Sequence, residues 1–552
     1  MELYFSDNLK KIDEESYSVF GYSENILMEN AGGGCYREFL KLYDKNFLKK
    51  ASIAVICGKG NNGGDGFVFS RYLLNSGFNV NIAVLAEKAS YKGIAGINLD
   101  ILVKLGAVIT EIPSEDKITD LENILEKADV VVDAIFGVGL NRELTGFFKK
   151  VIEIINEKSY SGGNRECLKK FESGYDIICI DVPSGLNADT GEIMNAAITE
   201  NIKKIFTLGG LKVGFYINYG EKLLLNEKTV LIDINQPRQL LKKYGQGIEI
   251  ITEKEISRCF KERKQTATKF DYGHLLVAAG SSGKTGAAFM SSLAGFKSGA
   301  GLVTAAVPGK LNDIMEAKTD EVMTYPVDDG GKGFFIEKGA EIIQNNLLKG
   351  KNAAVIGPGI GLKEETKAFL RKLLSEINIP AVLDADALNI LSEDTDILKQ
   401  TAKKTDLILT PHFKEMERLS GIDRRIIEKD PITIGKKFVK EFGVYLVLKS
   451  SSMFIFDKNG EHVSIQCGHS SLLTSGGSGD VLSGLIGGFI SGGMGLYMSM
   501  KCAAFILVYS AKHLEKKYGY FGAGAVKIVE NIPFSLNLML SETKQKNKTD
   551  DL

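Results

Sequence analysis

Between Ser52 and Ile234, short runs of aliphatic and β-branched residues alternate with segments whose apolar positions recur at helical spacing: SIAVICG, GFVFSRYLLNSG, VNIAVLA, INLDILVKLGA, VVVDAIFG and IICIDVPSG. Runs without polar alternation read as strands covered on both faces, and their alternation with helices predicts βαβ units around a parallel sheet. A second series opens near Tyr272 with HLLVAAG, AGLVTAAVP, AAVIGPGIG, AVLDADALN, LILTPH and YLVLKS. Between the two lies INQPRQLLKKYGQGIEIITEKEI, a polar stretch with the Pro and Gly punctuation of a linker. The pattern predicts two α/β domains, residues 1–241 and 242–540, with the boundary near Lys242 and a polar, frayed tail over 541–552. Residues 156–176, NEKSYSGGNRECLKKFESGYD, read as an exposed insertion. Val481 to Met500 carries no charge over twenty residues, long enough to span a bilayer. Six of those residues are glycines, and GGMG at 492–495 reads as one helix ending and another beginning, so two shorter buried helices are expected.

Composition narrows the function classes. The 552 residues are 44% hydrophobic and 25% charged, as in an ordinary globular protein, and 68 basic against 69 acidic residues leave a formal net charge of -1. No bulk charge calls for nucleic acid or a membrane as partner. Seven cysteines without a CxxC pair fit neither a disulfide framework nor a zinc knuckle, and the charged N-terminus lacks a signal-peptide core, so a cytoplasmic enzyme is expected. Sixty glycines imply many loops in which backbone approaches a ligand closely.

In the first half, GKGNNGGDGF at 58–67 follows a strand and runs into a helix, where backbone amides can face an anionic group; a tight turn needing positive φ is the plainer alternative. DAIFGVGLNRELTG at 133–146 and DVPSGLNADTG at 181–191 end two further strands with Asp133 and Asp181. Each aspartate has the alternative role of capping the next helix, but three oxygen-bearing strand ends in a Rossmann-like three-layer sandwich point to one pocket. NNGGD, Asp133 with FGVG, and DVPSG, preceded by ILMENAG at 26–32, resemble the NAD(P)H-hydrate epimerase domain over nearly the whole half. The resemblance implies a potassium site at Asn62, Asp133 and Ser184. It also implies contacts to the hydrated dinucleotide from Asn61, Asn62, Gly63, Gly64 and Asp65, from Gly137, Val138, Gly139, Leu140, Asn141, Arg142 and Glu143, and from Asp181, the best-placed catalytic carboxylate.

In the second half, Gly283-Lys284-Thr285 first suggests a nucleotide P-loop, with Ala278 where that motif begins with glycine. LLTSGGSGDVLSGLIGGFI at 472–490 carries a different message: a glycine-rich turn whose amides can hold phosphate oxygens, with Asp480 able to take a proton from a hydroxyl. This run resembles the ribokinase-like superfamily. Together with GSSGKTGAA, KSGAGLVTAAVP, VIGPGIG, LDADALN and TPHFKEMERL, it is similar to the ADP- or ATP-dependent NAD(P)H-hydrate dehydratase family across most of 250–535, predicting a ribokinase-like α/β domain. That likeness makes GKT a substrate-side loop. It implies hydrate contacts at Ala287, Gly359, His412 and Asp480, and adenine-nucleotide contacts at Lys449, Ser450, Ser451, Ser452, Met453 and Gly479. Ser450 and Met453 depart from the family's usual glycine and threonine. A lone histidine is more often structural, though His412 follows a strand-ending Thr410-Pro411; Glu415 stands open between a solvated residue and one orienting magnesium through water.

The two resemblances imply one repair function. Water added to the nicotinamide ring of NADH or NADPH leaves a hydroxyl beside the ring nitrogen; phosphorylation makes it a leaving group, and the nitrogen lone pair then expels phosphate. Asp480 would be the base, with magnesium bridging the phosphates of ADP or ATP, and the first half would supply the accepted epimer. The expected partners are these small molecules and further copies of the chain in a homo-oligomer. The rival reading is a small-molecule kinase of the ribokinase type fused to a non-catalytic binding module.

Overall fold

The computed structural model describes residues 1–159, 174–260 and 262–550, with 542–550 described by backbone. The chain forms two compact units, residues 2–246 and residues 247–552 with Met1. The break falls a few residues beyond Lys242, which lies inside helix Arg238–Tyr244. That helix belongs to the first unit because its Leu240 is buried with Tyr4, Leu9 and Ile12, the last two on helix Ser6–Ser18. Helix Ala525–Asp550 extends into the 541–552 tail as far as residue 550, since Glu, Lys and Gln are good helix formers. Most of the 156–176 insertion, 160–173, lies outside the described residues.

The N-terminal unit is built on a wholly parallel seven-stranded sheet in the order Val108–Glu111, Asn79–Val84, Ser52–Cys57, Val130–Ala134, Asp176–Ile180, Ile202–Leu208, Thr229–Ile232. Val55, Val132, Ile178 and Ile180 are fully buried from both sides, which is why these strands show no polar alternation. The chain builds outward one way from Ser52–Cys57 and then the other way from Val130–Ala134. The reversal leaves a crevice past the carboxyl ends of those two strands, the place where open parallel sheets bind ligands.

The C-terminal unit carries ten strands in the order Ile248–Ile250, Val463–Gln466, Met453–Phe456, Tyr445–Lys449, Leu407–Leu409, Ala381–Leu383, Ala353–Ile356, His274–Ala278, Leu302–Pro308, Met323–Val327. Met453–Phe456 runs antiparallel to both neighbours and the other pairs are parallel. Here the reversal lies between His274–Ala278 and Ala353–Ile356. The uncharged stretch forms helices Ser478–Ser491 and Leu496–Tyr518, as its glycines predict, and among the described residues no helix is long and apolar enough to cross a membrane.

Helix Ser478–Ser491 packs closely on helix Thr285–Lys297. A Cβ on Gly484 would overlap the Ser291 carbonyl oxygen, and one on Gly488 would come within 2.6 Å of Gly295 O. Overpacking a tight seam costs about 1–3 kcal/mol. Gly484→Ala should accordingly lower the thermal unfolding midpoint of this unit; an unchanged midpoint would mean that the two helices separate at no cost.

Candidate active sites

In the N-terminal unit, helix Asn61–Asn75 begins with NNGGD, so the amides of its first turn point into the crevice at the strand-order reversal. A Cβ on Gly137 would lie 2.6 Å from Asp181 Oδ2 and 3.4 Å from Asn62 Cγ, which brings Asn62, the 137 loop and Asp181 together around a glycine that leaves the space open. Val138 N donates to Asp181 Oδ2 at 3.1 Å, while Leu208 N at 3.3 Å and Lys212 Nζ at 2.5 Å donate to Oδ1. Asp181 takes φ 69, a strained value for a non-glycine residue, at the turn where its strand ends. The loop beyond diverges: Asn141, Arg142 and Glu143 are exposed.

Asp133 is fully buried, and Ser184 reaches it twice, through Oγ to Oδ1 at 2.6 Å and through N to Oδ2 at 2.8 Å. Burial pushes the Asp133 carboxyl up to about 6 against those hydrogen bonds, which pull it down. Asn62 has both side-chain polar atoms buried without a partner among the described residues. An orphaned buried amide and a buried carboxylate–hydroxyl pair offer hard oxygens of the kind an alkali cation takes. The structure joins Asp133 to Ser184 directly and Asn62 to the Gly137–Asp181 side of the pocket.

In the C-terminal unit, a cavity of about 450 Å³ is lined by Lys449, Ser450, Ser451, Met453 and Gly479, together with residues of the 468–474 segment. Ser452 instead turns into the fold: it is buried, and its carbonyl accepts from Ser450 N and Ser450 Oγ. No residue of the GKT loop lines this cavity. Lys284 ion-pairs with Asp386 at 2.9 Å, and a Cβ on Gly359, itself at φ 65, would meet Ala287 Cβ at 3.0 Å and Lys284 Cβ at 3.1 Å. Ala287, Gly359 and Lys284 thus form one wall at the strand-order reversal.

Lys449 faces this wall's carboxylates. Its Nζ lies 2.8 Å from Asp384 Oδ1 and 3.2 Å from where a Cβ on Gly479 would stand. Burial works to discharge Lys449, but Asp384 and Glu415 outweigh it and hold its pKa above the ordinary value. Asp480 opens helix Ser478–Ser491 beside them, and burial, with the Asp384 charge behind it, pushes its carboxyl up to about 7 against the pull of Lys449. A base is competent when ionised, so the reaction it serves should speed up as pH rises through about 7. Asp384→Asn removes a charge that raises that value. The inflection in kcat/KM should therefore move to lower pH, and an inflection that stays or rises would contradict Asp384 as its source.

His412 has a structural duty, the plainer reading of a lone histidine. It caps helix Phe413–Ser420, with Glu415 N donating to its Nδ1 at 3.0 Å and Glu415 Oε2 accepting from His412 N at 2.9 Å. Its ring is half exposed, and its backbone bridges to Lys449, so it borders the same pocket. Glu415 is buried, which overturns its reading as a solvated helix residue. Asp384, Asp386, Glu415 and Asp480 supply the carboxylate oxygens that magnesium prefers when it is shared with phosphates. Asp384, Asp386 and Lys212 carry site geometry without having been assigned as site residues from the sequence. The Asp-tipped strand AVLDAD reads from sequence only as one that could pose as a magnesium-binding strand, and Lys212 had no signal.

Residues 275–534 match a family model described as NAD(P)H-hydrate dehydratase, and residues 24–214 match one described as YjeF-related protein N-terminus. A bifunctional NAD(P)H-hydrate repair enzyme from Moorella thermoacetica is 31% identical over 99% of this chain and 98% of its own length. One of the same description from Dictyoglomus turgidum is 30% identical over 97% of this chain and 98% of its own. Among solved structures, a ribokinase-like superfamily protein from Enterococcus faecalis aligns over 53% of this chain and 97% of its own, with TM-score 0.46 and 22% identity.

Proposed function

Because the chain belongs to the family of bifunctional NAD(P)H-hydrate repair enzymes, we propose that its N-terminal unit interconverts the R and S hydrates of NADH and NADPH, while its C-terminal unit dehydrates the S hydrate at the expense of ADP or ATP. The observation that carries the dehydratase reading is Asp480 at the start of a glycine-flanked helix, beside Lys449 and a cavity sized for a nucleotide. The rival kinase with a passive binding module loses its ground, since the relatives span both halves.

In the C-terminal unit, Ala287, Gly359 and His412 border the hydrate and Lys449, Ser450, Ser451, Met453 and Gly479 the nucleotide. Asp480 takes the proton of the hydrate's hydroxyl as its oxygen attacks the terminal phosphorus. The amides of the 476–479 turn, with the Lys449 ammonium, meet the charge on the transferring phosphoryl group. The ring nitrogen lone pair then breaks the carbon–oxygen bond and expels phosphate, leaving a cyclic iminium, and loss of a proton from the adjacent ring carbon to water or the departing phosphate restores the reduced nicotinamide. Carboxylates such as Asp384 would hold magnesium, which would supply further charge neutralisation there.

In the N-terminal unit, Asp181 takes the hydroxyl proton as the oxygen forms a carbonyl and the bond from that carbon to the ring nitrogen breaks, its electron pair passing to nitrogen; the nitrogen re-adds to either face of the carbonyl, and Asp181 returns the proton to the oxygen. Asn62, Asp133 and Ser184 would hold potassium, whose charge would favour the anionic dinucleotide. The test is to incubate the protein with both NADPH hydrate epimers, magnesium and ADP or ATP. Full recovery of reduced-nicotinamide absorbance with release of phosphate is expected; accumulation of a stable phosphorylated hydrate would instead favour the kinase.

A further inference from the structure

Lys212 is a lysine only 1% exposed. The two-residue strand Leu211–Lys212 that carries it pairs in parallel with Leu3–Tyr4, which fixes its backbone. Its Nζ donates to Asp181 Oδ1 at 2.5 Å and to Leu208 O at 2.8 Å. Leu208 N donates to the same Oδ1, so two donors crowd one oxygen of Asp181. Oδ2 receives the single amide Val138 N and borders the space that Gly137 leaves open. The other ionisable groups facing the pair are Asp13 on helix Ser6–Ser18, Asp65 on helix Asn61–Asn75 and the Cys35 thiol on helix Glu24–Phe39. Burial pushes Asp13 up to about 6 and Asp65 well above the carboxylate range, and it holds Cys35 as the thiol. Lys212 is a cation shared by Asp13, Asp65 and Asp181, and of these three carboxylates it bonds to Asp181.

We propose that Lys212 is a positioning residue of the epimerase: by occupying Oδ1 it holds the Asp181 carboxylate in one rotamer within its buried seat and turns Oδ2, with its remaining lone pair, to the hydrate's hydroxyl. This rests on the reading of Asp181 as the proton acceptor. An ammonium anchored to a backbone carbonyl can hold a carboxylate rotamer that a mobile water would not, and misplacing a reacting group by about 1 Å costs roughly 10²-fold in rate. A buried ion pair is poor support for a purely stabilising role, because burial of both charges offsets their attraction.

The experiment follows epimer exchange in the full-length protein without nucleotide, starting from one purified hydrate epimer, for Lys212→Met, Asp181→Asn and the double variant. Lys212→Met should lower kcat for exchange about 10²-fold with KM within about threefold. In the Asp181→Asn background the same substitution should cost almost nothing, because residues that act through one another are not additive. Dehydration of the accepted epimer with nucleotide present should continue at the parent rate, and a retained thermal unfolding transition and far-UV spectrum of the N-terminal unit report that this unit is folded. If Lys212→Met does not fold, Lys212→Gln, uncharged but able to donate, carries the same comparison. Near-parent exchange in the Lys212 variant, or losses that multiply in the double variant, overturns the proposal. Should Asp181→Asn itself exchange epimers at the parent rate, the reading of Asp181 falls first; a slow Asp181→Asn beside a fast Lys212→Met overturns Lys212 alone.

Discussion

Asp480→Asn should bind adenine nucleotide nearly as well as the parent protein yet return reduced nicotinamide about 10²- to 10⁴-fold more slowly, the share that one positioned base contributes. The substitution keeps the shape of the side chain and removes its capacity to accept the hydroxyl proton. The proposed nucleotide contacts, from Lys449 and the hairpin turn after it, line a cavity whose wall does not include Asp480, so affinity should survive. The comparison is a single-turnover rate against a nucleotide Kd, and near-parent turnover would remove Asp480 from the mechanism. Because burial and Asp384 push this carboxyl up to about 7, the parent should lose activity on acidification across that range, with the base increasingly protonated.

Asp181→Asn should split the recovery of reduced nicotinamide from a mixed hydrate sample into two phases. The dehydratase consumes the epimer it accepts at the parent rate, and the remainder then appears at the pace of spontaneous exchange. The parent protein should show one complete phase. Asp181 and Asp480 lie in different compact units, so their effects should combine additively. A single complete phase from Asp181→Asn would show that exchange does not need this carboxylate; failure of Asp480→Asn to exchange epimers would show that the two activities are not separable.

What could be read in advance were features that a local run of residues already implies. NNGGD, FGVG and GGSGD stand out because a chain that must bring amides close to a ligand has little choice but glycine, and Gly137, with Asp181 Oδ2 just outside its Cα, is such a place. The split of the uncharged stretch at 492–495 was legible for the same reason. Pairings across the fold were not. Lys212 meets Asp181 across 31 residues of sequence and Lys449 meets Asp384 across 65, and nothing in the neighbouring sequence of either lysine says that it will be buried. The domain boundary was misplaced because Leu240 is claimed by an apolar cluster from the chain's first dozen residues, a contact that a polar linker composition conceals. His412 shows the reverse failure: motif position suggested a ligand contact, and the local geometry reveals a helix cap as well.

The seam at Gly484 and Gly488 bears on how the second pocket opens and shuts. The helices it joins each begin at a ligand loop, one with Lys284 at its N-cap and the other with Asp480 in its first turn. With backbones this close, neither helix can pivot without the other, and the two walls travel as one rigid piece. Any breathing needed to admit a nucleotide or discharge a product must come from elements outside that piece, such as the turn at Ser450–Ser451 and the segment from Gly468 to Thr474 that line the cavity. Residence time of the spent nucleotide would then be governed by those hydroxyl-rich segments, leaving the distance between base and phosphate undisturbed while the door swings.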